Sequence, residues 1–279
     1  MTPLVRETRE ILKGLGVPAR KSFGQNFMVN EDVLSFIARS VCLEKGGTVL
    51  EIGPGLGFLT RHLLSQGAQV IAVEKDAAFA GYLNKNYNRD SFRLVRSDIL
   101  KMDIQKDLDI HAPVKVVGNI PYNITSPVLE WLITHKIFIS EAVLTVQKEV
   151  AERLTARPGN KTWGSLSVFV QFHSQVCCLK IISRGNFYPA PSVDSAVVKL
   201  VFPEKPIYPV QDEKVFSSLV RRAFQKRRKT ILNALADEKD VRFTKNQLAE
   251  TFRKVGINPT RRPETLSIPE WVGLADALG

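Results

Sequence analysis

The chain has 279 residues, of which 44% are hydrophobic and 24% are charged. This composition is that of an ordinary globular protein and excludes a collagen-like, a coiled-coil or a largely disordered chain. Lys and Arg number 39 against 28 Asp and Glu, and the net charge of +11 favours an anionic partner, nucleic acid rather than membrane. Charge alone leaves open a merely basic globular protein.

Other features of the sequence indicate the cellular compartment of the protein. Residues 1–16 carry charges throughout and lack the apolar core of a signal peptide, and no apolar run approaches the ~20 residues of a membrane helix. Two of the three cysteines are adjacent, which favours a reducing compartment. The four histidines do not pair with cysteine at metal-ligand spacing. We therefore expect a cytoplasmic protein with no membrane segment and no metal site.

From Thr48 onward, short apolar runs alternate with helical stretches, the pattern of a parallel sheet covered by helices. The predicted strands are Thr48–Ile52, Gln69–Glu74, Phe92–Arg96, Val114–Gly118, Ala142–Val146, Val176–Ile182 and Ala196–Phe202. The predicted helices between them are Leu56–Gln66, Ala77–Tyr87 and Ser126–His135. We expect Thr125 to cap the third helix and the last two strands to form an antiparallel pair that finishes the sheet.

Three closely spaced prolines, Pro203, Pro206 and Pro209, favour extended chain, so we place a domain boundary between residues 204 and 205. Beyond it the predicted helices are Asp212–Phe224, Arg228–Ala236, Lys245–Val255 and Pro269–Leu278. The prediction is an α/β domain over residues 1–204, with a helical segment at its N-terminus, and a small all-α domain over residues 205–279. Positive charge is denser in the second domain.

The first predicted strand ends in Glu51-Ile-Gly-Pro-Gly-Leu-Gly57, where glycines allow a sharp turn and close approach to a ligand. A nicotinamide or flavin site requires G-x-G-x-x-G, but Phe58 stands where its third glycine would be. The form E-x-G-x-G-x-G, led by an acid, instead suits S-adenosylmethionine, which is cationic and has no phosphate. Glu74 ends the second predicted strand and Asp98 comes after the third, where they can accept from ribose hydroxyls and from the adenine amino group. Each acid alone is more often a solvated residue at a strand end, but three at successive strand ends predict an adenosine-type cofactor pocket.

Asn119-Ile-Pro-Tyr122 follows the fourth predicted strand, on the same sheet edge. A simple turn is the alternative, since Asn and Pro are turn residues. It does not explain the adjacent aromatic residue. The Asn119 side-chain oxygen and the Ile120 carbonyl could accept from the exocyclic amine of a base, while Tyr122 stacks on the ring. Catalysis would then depend on orientation and electrostatics.

In combination these motifs are specific, and the chain resembles the ribosomal RNA adenine N6-dimethyltransferase family, the small-subunit rRNA dimethylases. It also resembles the related erythromycin-resistance methylases and mitochondrial transcription factors. The matching segments are Lys21–Phe27, Glu51–Thr60, Glu74, Asp98, Asn119–Tyr122, Val146–Leu154 and Phe187–Ser195, and the match continues into the tail. The resemblance implies a Rossmann-like S-adenosylmethionine-dependent methyltransferase fold, with a mostly parallel seven-stranded sheet and an antiparallel end.

The resemblance also implies roles by matching position. The implied cofactor-binding residues are Asn26, Met28 (through its main chain), Gly53, Glu74, Asp98 and Asn119. The implied catalytic residues are Asn119, Ile120, Pro121, Tyr122 and Phe187, the last closing on a flipped base opposite Tyr122. The family often has a lysine where this chain has Ser192, so one contact with the RNA backbone is expected to be missing.

The segment from Arg221 to Lys229 has six basic residues in nine: Arg221, Arg222, Lys226, Arg227, Arg228 and Lys229. Such a run is commonly a solvated helix face. Together with Asn258 and Arg261–Leu266, however, it resembles the helical domain of the small-subunit enzymes, and we expect it to hold rRNA phosphates.

The resulting hypothesis is N6,N6-dimethylation of two adjacent adenines in the 3′-terminal hairpin of small-subunit rRNA, with S-adenosylmethionine as cofactor. We expect a monomer that acts on an immature small ribosomal subunit and takes part in its biogenesis. Two alternatives stay open: a large-subunit rRNA adenine methylase that confers macrolide resistance, and a non-catalytic nucleic-acid-binding assembly factor.

Overall fold

A computed structural model describes residues 2–17, 26–41, 44, 46–87, 89–226, 228–236 and 244–279. Its strands are β1 (Phe27–Met28), β2 (Thr48–Ile52), β3 (Gln69–Glu74), β4 (Phe92–Arg96), β5 (Val114–Asn119), β6 (Ile139–Gln147), β7 (Gln175–Ile182), β8 (Phe187–Tyr188) and β9 (Ser195–Val201). Its helices are α1 (Pro3–Gly14), α2 (Glu31–Ser40), α3 (Phe58–Ser65), α4 (Ala77–Asn86), α5 (Thr125–Thr134), α6 (Lys148–Leu154), α7 (Ser165–His173), α8 (Glu213–Gln225), α9 (Ile231–Leu235), α10 (Lys245–Lys254) and α11 (Ile268–Asp276).

Seven strands form one sheet in the order β4-β3-β2-β5-β6-β9-β7. The strands from β4 to β6 are parallel to their neighbours, and β9 is antiparallel to β6. This confirms the predicted mostly parallel sheet with an antiparallel end. Strands β2, β3 and β4 occupy the predicted residues, and the other predicted strands differ only at their ends.

The predicted cap of α5 is wrong. Thr125 is the first residue of that helix and already has helical dihedral angles, because a 3-10 turn over Tyr122–Ile124 leads directly into it. The N-cap position therefore falls on Ile124. The Thr125 hydroxyl is buried and has no hydrogen-bond partner among the described residues.

The chain divides into two compact units, residues 1–151 with 176–204 and residues 152–175 with 205–279. One division falls after residue 204, and residues 152–175 group with the second unit rather than with the rest of residues 1–204. Their apolar side chains explain the difference, since Trp163 and Phe172 are buried in the same core as Phe216 and Trp271. Among its described residues, the second unit contains the end of α6, all of α7 and the four helices that follow.

The core of the first unit lies between the sheet and its helices, with Leu34, Leu63, Val117 and Val143 almost fully buried. Helix α2 begins at an Asn30 side chain that accepts a hydrogen bond from the Val33 amide at 3.1 Å. In the described part of the chain, each helix is too short or too polar to cross a membrane.

Candidate active site

A cavity of about 490 Å³ opens in the first unit, where the carboxyl ends of the parallel strands meet. Nearly all of the predicted cofactor-binding and catalytic residues line it. These are Asn26, Met28, Gly53, Glu74, Asp98, Asn119, Ile120, Pro121 and Tyr122. The structure thus brings together residues that lie far apart in the sequence.

The glycine loop depends on backbone conformations that side chains rarely adopt. Gly53 and Gly57 have φ angles of 65° and 78°. A Cβ atom on Gly57 would lie 2.7 Å from the Tyr87 ring, and the Tyr87 hydroxyl donates to the Gly57 carbonyl at 2.8 Å. The end of the loop is therefore packed tightly against α4.

Glu51 is a buried acid on the wall of the cavity, with only 1% of its surface exposed. Its carboxyl accepts a hydrogen bond from the Thr60 hydroxyl at 2.6 Å. Burial raises its pKa to about 8, and the nearby Glu74 charge adds to the rise. No cation within the described ranges lies at ion-pair distance from it. A buried carboxyl of this kind fits a cationic cofactor, whose positive charge would favour its ionised form.

Glu74, at the end of β3, is held by the main chain. One carboxyl oxygen accepts from the Gly55 amide at 3.0 Å and the other from the Asp76 amide at 2.8 Å. Burial raises the pKa of Glu74, and these amide hydrogen bonds oppose the rise. The carboxylate therefore both fixes the glycine loop and faces the cavity.

Asp98 lies beyond β4, where its carboxyl accepts from the Leu100 amide at 3.2 Å and pairs with the Lys75 ammonium at 3.0 Å. Burial acts to raise the pKa of Asp98, but the bonds from Lys75 and Leu100 outweigh it, and the pKa falls below its usual value. Asp98 is thus a stable acceptor at the rim.

The Asn119 side chain has a fixed orientation. Its amide nitrogen donates to the main-chain carbonyl of Asn26 at 2.9 Å, which leaves the side-chain oxygen as the acceptor for a ligand. The neighbouring Ile120 amide donates to the Thr145 carbonyl on β6 at 3.2 Å. This arrangement can accept hydrogen bonds from an amino group placed in the cavity.

Tyr122 and Phe187 differ in their surroundings. The Tyr122 ring lines the cavity, and its hydroxyl lies 2.7 Å from the Ser195 hydroxyl. Phe187 is 3% exposed, pairs with Met28 in the β1–β8 ladder and is not among the cavity-lining residues. The predicted base-stacking role of Phe187 stays a prediction.

The predicted RNA-binding residues lie in the second unit and differ in their surroundings. Arg221, Arg228 and Lys229 are exposed, whereas Lys226 is half-buried. The Arg222 guanidinium donates to the carbonyl of Leu235, the last residue of α9, at 2.7 Å. Arg227 lies outside the described residues, as do residues 21–25 of the N-terminal motif. Arg222 therefore has a structural contact that the sequence did not indicate.

Thr60, Lys75 and Ser195 contact site residues and were not assigned a role from the sequence. Lys75 follows Glu74 directly and could have been noted as a cation beside the acids. Thr60 lies nine positions after Glu51, at the end of the segment Glu51–Thr60. Ser195 acts through a contact 73 positions away, and no local pattern points to it.

The sequence pattern of the family described as ribosomal RNA adenine dimethylase matches residues 16–278. The chain belongs to this family. Membership confirms the predicted resemblance and makes the chain an rRNA adenine dimethyltransferase that uses S-adenosylmethionine.

Two relatives of this family are similar over almost their full length. The ribosomal RNA small subunit methyltransferase A of Moorella thermoacetica is 41% identical, with 97% of this chain and 96% of the relative covered. The protein of the same name from Lactococcus lactis is 42% identical, with 97% and 94% covered.

The fold is also similar to two crystal structures, each 25% identical in sequence. A dimethyladenosine transferase from Plasmodium falciparum has a TM-score of 0.76, with 89% of this chain and 95% of that chain covered. The 23S rRNA methyltransferase ErmE has a TM-score of 0.69, with 91% and 99% covered. These likenesses confirm the Rossmann-like methyltransferase fold.

Proposed function

We propose that the chain dimethylates N6 of two adjacent adenines in the 3′-terminal hairpin of small-subunit rRNA. It acts as a cytoplasmic monomer on an immature small subunit and takes part in subunit biogenesis. The relatives from Moorella thermoacetica and Lactococcus lactis, both named for the small subunit, support this choice of substrate.

The observation that carries the proposal is the fixed amide of Asn119. Because its nitrogen is bonded to the Asn26 carbonyl, its oxygen faces the ligand, and the Ile120 carbonyl is a second acceptor beside it. Two acceptors on one amine concentrate its lone pair on nitrogen, which otherwise delocalises into the base. Tyr122 supplies an aromatic face to hold the base in place. No strong base is required, because the methylated amine loses its proton readily to water.

The cavity residues would hold the cofactor in an orientation set by their charges. Glu74 would accept hydrogen bonds from the ribose of S-adenosylmethionine, and Asp98 would accept one from its adenine. Asn26, Met28 and Gly53 would contact the remainder of the cofactor. When bound, S-adenosylmethionine supplies a methyl group on a positively charged sulfur. The carboxyl of Glu51 lies on the wall that such a charge would face.

Binding of rRNA would depend on the exposed cations of the second unit. The side chains of Arg221, Arg228 and Lys229 are exposed to solvent and can approach phosphates. Such contacts provide affinity and register rather than base identity. The bases to be modified would then be selected by the fit of an unpaired adenine to the cavity.

Purified immature small subunits, mature small subunits and large subunits, each incubated with methyl-labelled cofactor, test this proposal. We expect label on two adjacent adenines of the immature small-subunit rRNA, located by nuclease mapping. Label confined to large-subunit rRNA would instead support the macrolide-resistance activity. Cofactor binding without label on any rRNA would support a non-catalytic assembly factor.

A further inference from the structure

Ser195 is a buried strand residue whose hydroxyl contacts the hydroxyl of Tyr122, a residue that lines the cavity. The Ser195 and Tyr122 hydroxyl oxygens are 2.7 Å apart, across 73 positions of sequence. Ser195 is fully buried, whereas Tyr122 is half-buried and lines the cavity. The far end of the Tyr122 ring is thus attached to the interior of the sheet.

The position of Ser195 is itself set by several contacts. It is the first residue of β9 and lies opposite Gln147 in the antiparallel ladder with β6. The preceding residue, Asp194, accepts the Lys148 amide through its carbonyl at 3.0 Å and the Arg184 amide through its side chain at 3.0 Å. The serine hydroxyl is therefore a fixed point rather than a mobile partner.

The ring at the other end of this contact has little support from its own backbone. Tyr122 begins a single 3-10 turn after Pro121, and this turn has no side-chain cap. A side chain on such a turn could adopt several rotamers, each at a small energetic cost. The hydrogen bond to Ser195 selects one rotamer of Tyr122 before a base binds. The ring therefore loses little further conformational entropy when the base stacks on it.

We infer that Ser195 is a positioning residue, which holds the Tyr122 ring at the angle required to stack on the target base. The inference rests on the proposed function, in which Tyr122 contacts that base. Ser195 touches neither the base nor the cofactor, and it acts only through the tyrosine hydroxyl. Its removal should therefore affect the transfer step more than cofactor binding.

The contact can be tested in the protein alone, without any substrate. NMR of the full chain with tyrosine labelled at 13Cζ reports the environment of the phenol carbon, and the Tyr122→Phe variant identifies the resonance by its loss. We expect Ser195→Ala to shift the Tyr122 resonance and Ser195→Thr, which keeps the hydroxyl, to restore it. An unchanged resonance in Ser195→Ala would overturn the inference, because the ring would not be held by the serine in solution.

The kinetic test separates positioning from structure. We expect Ser195→Ala to lower kcat roughly fivefold, the effect of one lost hydrogen bond, with cofactor affinity unchanged. Tyr122→Phe should lower kcat to a similar extent, and the double variant should be no worse than either single variant, since all remove the same bond. Ser195→Thr should recover most of the activity.

Ser174→Ala is the matched control, because it removes another buried serine hydroxyl, one that bonds the Val170 carbonyl at 2.8 Å. It should leave kcat unchanged. A shifted resonance with normal kcat in Ser195→Ala would overturn the positioning role, and so would losses that multiply in the double variant. If the native chain methylates no rRNA, the proposed function fails, and the NMR result still decides whether the contact exists.

Discussion

The Asn119 side chain and the Asn26 carbonyl, 93 positions apart in the sequence, are joined by a hydrogen bond of 2.9 Å. Asn26 directly precedes β1, which pairs with β8, and Asn119 ends β5. The bond therefore connects a two-stranded ladder to the central sheet at the wall of the cavity. It also decides which end of the amide a ligand meets.

Replacing Asn119 by Asp tests the importance of that orientation. Asp has the same shape but no amide hydrogen, so its carboxylate would repel the Asn26 carbonyl and turn away from the position that the amide adopts. We expect methyl transfer to fall by about 100-fold or more, as when a fixed polar group is removed from a catalytic site. Single-turnover transfer measures the effect, and calorimetry should show cofactor binding largely retained.

The control for this substitution is Asn84→Asp, in an exposed turn of α4, which should have native activity. Asn119→Ala should be as inactive as Asn119→Asp. If either Asn119 variant fails to fold, the residue is structural, and if Asn119→Asp keeps native kcat, the orientation of the amide has no catalytic role.

The elements that the sequence predicted well are those with a local signature. The central strands β2 and β3 are mostly buried, and a strand buried on both faces is an almost unbroken apolar run. The residues at or just beyond the ends of such strands meet at one sheet edge, so the sequence alone assigns Glu74, Asp98 and Asn119 to one cavity.

The elements that escaped prediction depend on contacts between distant segments. Strands β1 and β8 have two residues each and no periodicity, so their pairing left no pattern to detect. Trp163 and Phe172 belong to the second core, although no proline-rich linker separates them from the first unit. Phe187 pairs with Met28 and is buried, and its expected contact with the target base stays a prediction.

Glu51 should make cofactor binding depend on pH. Burial raises its pKa from 4.5 to about 8, so at lower pH the carboxyl carries a proton. A cationic cofactor favours the carboxylate and would expel that proton. Binding of the sulfonium cofactor should therefore strengthen as pH rises toward 8, by up to about tenfold per pH unit. The neutral thioether product should show a weaker dependence.

Calorimetry well below pH 8, in two buffers of different ionisation enthalpy, counts the proton released on binding. Glu74 and Asp98 also line the cavity and have shifted pKa values, so Glu51→Gln is the control that separates their contribution from that of Glu51. It keeps the shape and an acceptor for Thr60 but cannot titrate. Equal proton release by Glu51→Gln and the native chain would contradict the assignment.

The same carboxyl should affect the stability of the chain without cofactor. Between about pH 4.5 and 8 the folded state keeps a proton on Glu51 that the unfolded chain gives up. Because the folded state binds more protons, the free energy of unfolding should fall as pH rises through this range. Urea unfolding at several pH values measures the slope, and Glu51→Gln should reduce it. If Glu51→Gln leaves the slope unchanged, the pH dependence of the free energy of unfolding comes from other groups.

Gly57→Ala should destabilise the chain. The left-handed conformation alone costs about 1–2 kcal/mol for a residue with Cβ, and the added atom would also meet Tyr87 at 2.7 Å and Leu83 at 2.8 Å. Gly81→Ala is the control, since Gly81 lies within α4 with nothing within 4 Å of an added Cβ. It should be stabilising by about 0.5–1 kcal/mol. Similar effects of the two substitutions in urea unfolding would show that the loop adapts.

Arg222 and Arg221 are neighbours in one basic run, but their substitutions should have different effects. Arg222 donates to the end of α9, so Arg222→Ala should lower the stability of the second unit by about 1–3 kcal/mol. Arg221 is exposed, and Arg221→Ala should leave stability unchanged while it weakens rRNA binding and lowers the salt slope by about 1. Trp163 and Trp271, both buried in the second unit, report its unfolding by fluorescence.

The two readouts separate a structural arginine from a phosphate contact. Filter binding of small-subunit rRNA over a range of salt concentrations gives the salt slope of the affinity. A variant that makes one phosphate contact fewer releases fewer counterions when it binds, so its slope is smaller. If Arg222→Ala unfolds normally and loses rRNA affinity with a reduced slope, its guanidinium leaves the Leu235 carbonyl to bind phosphate. The basic run would then act as a whole, as the sequence first indicated.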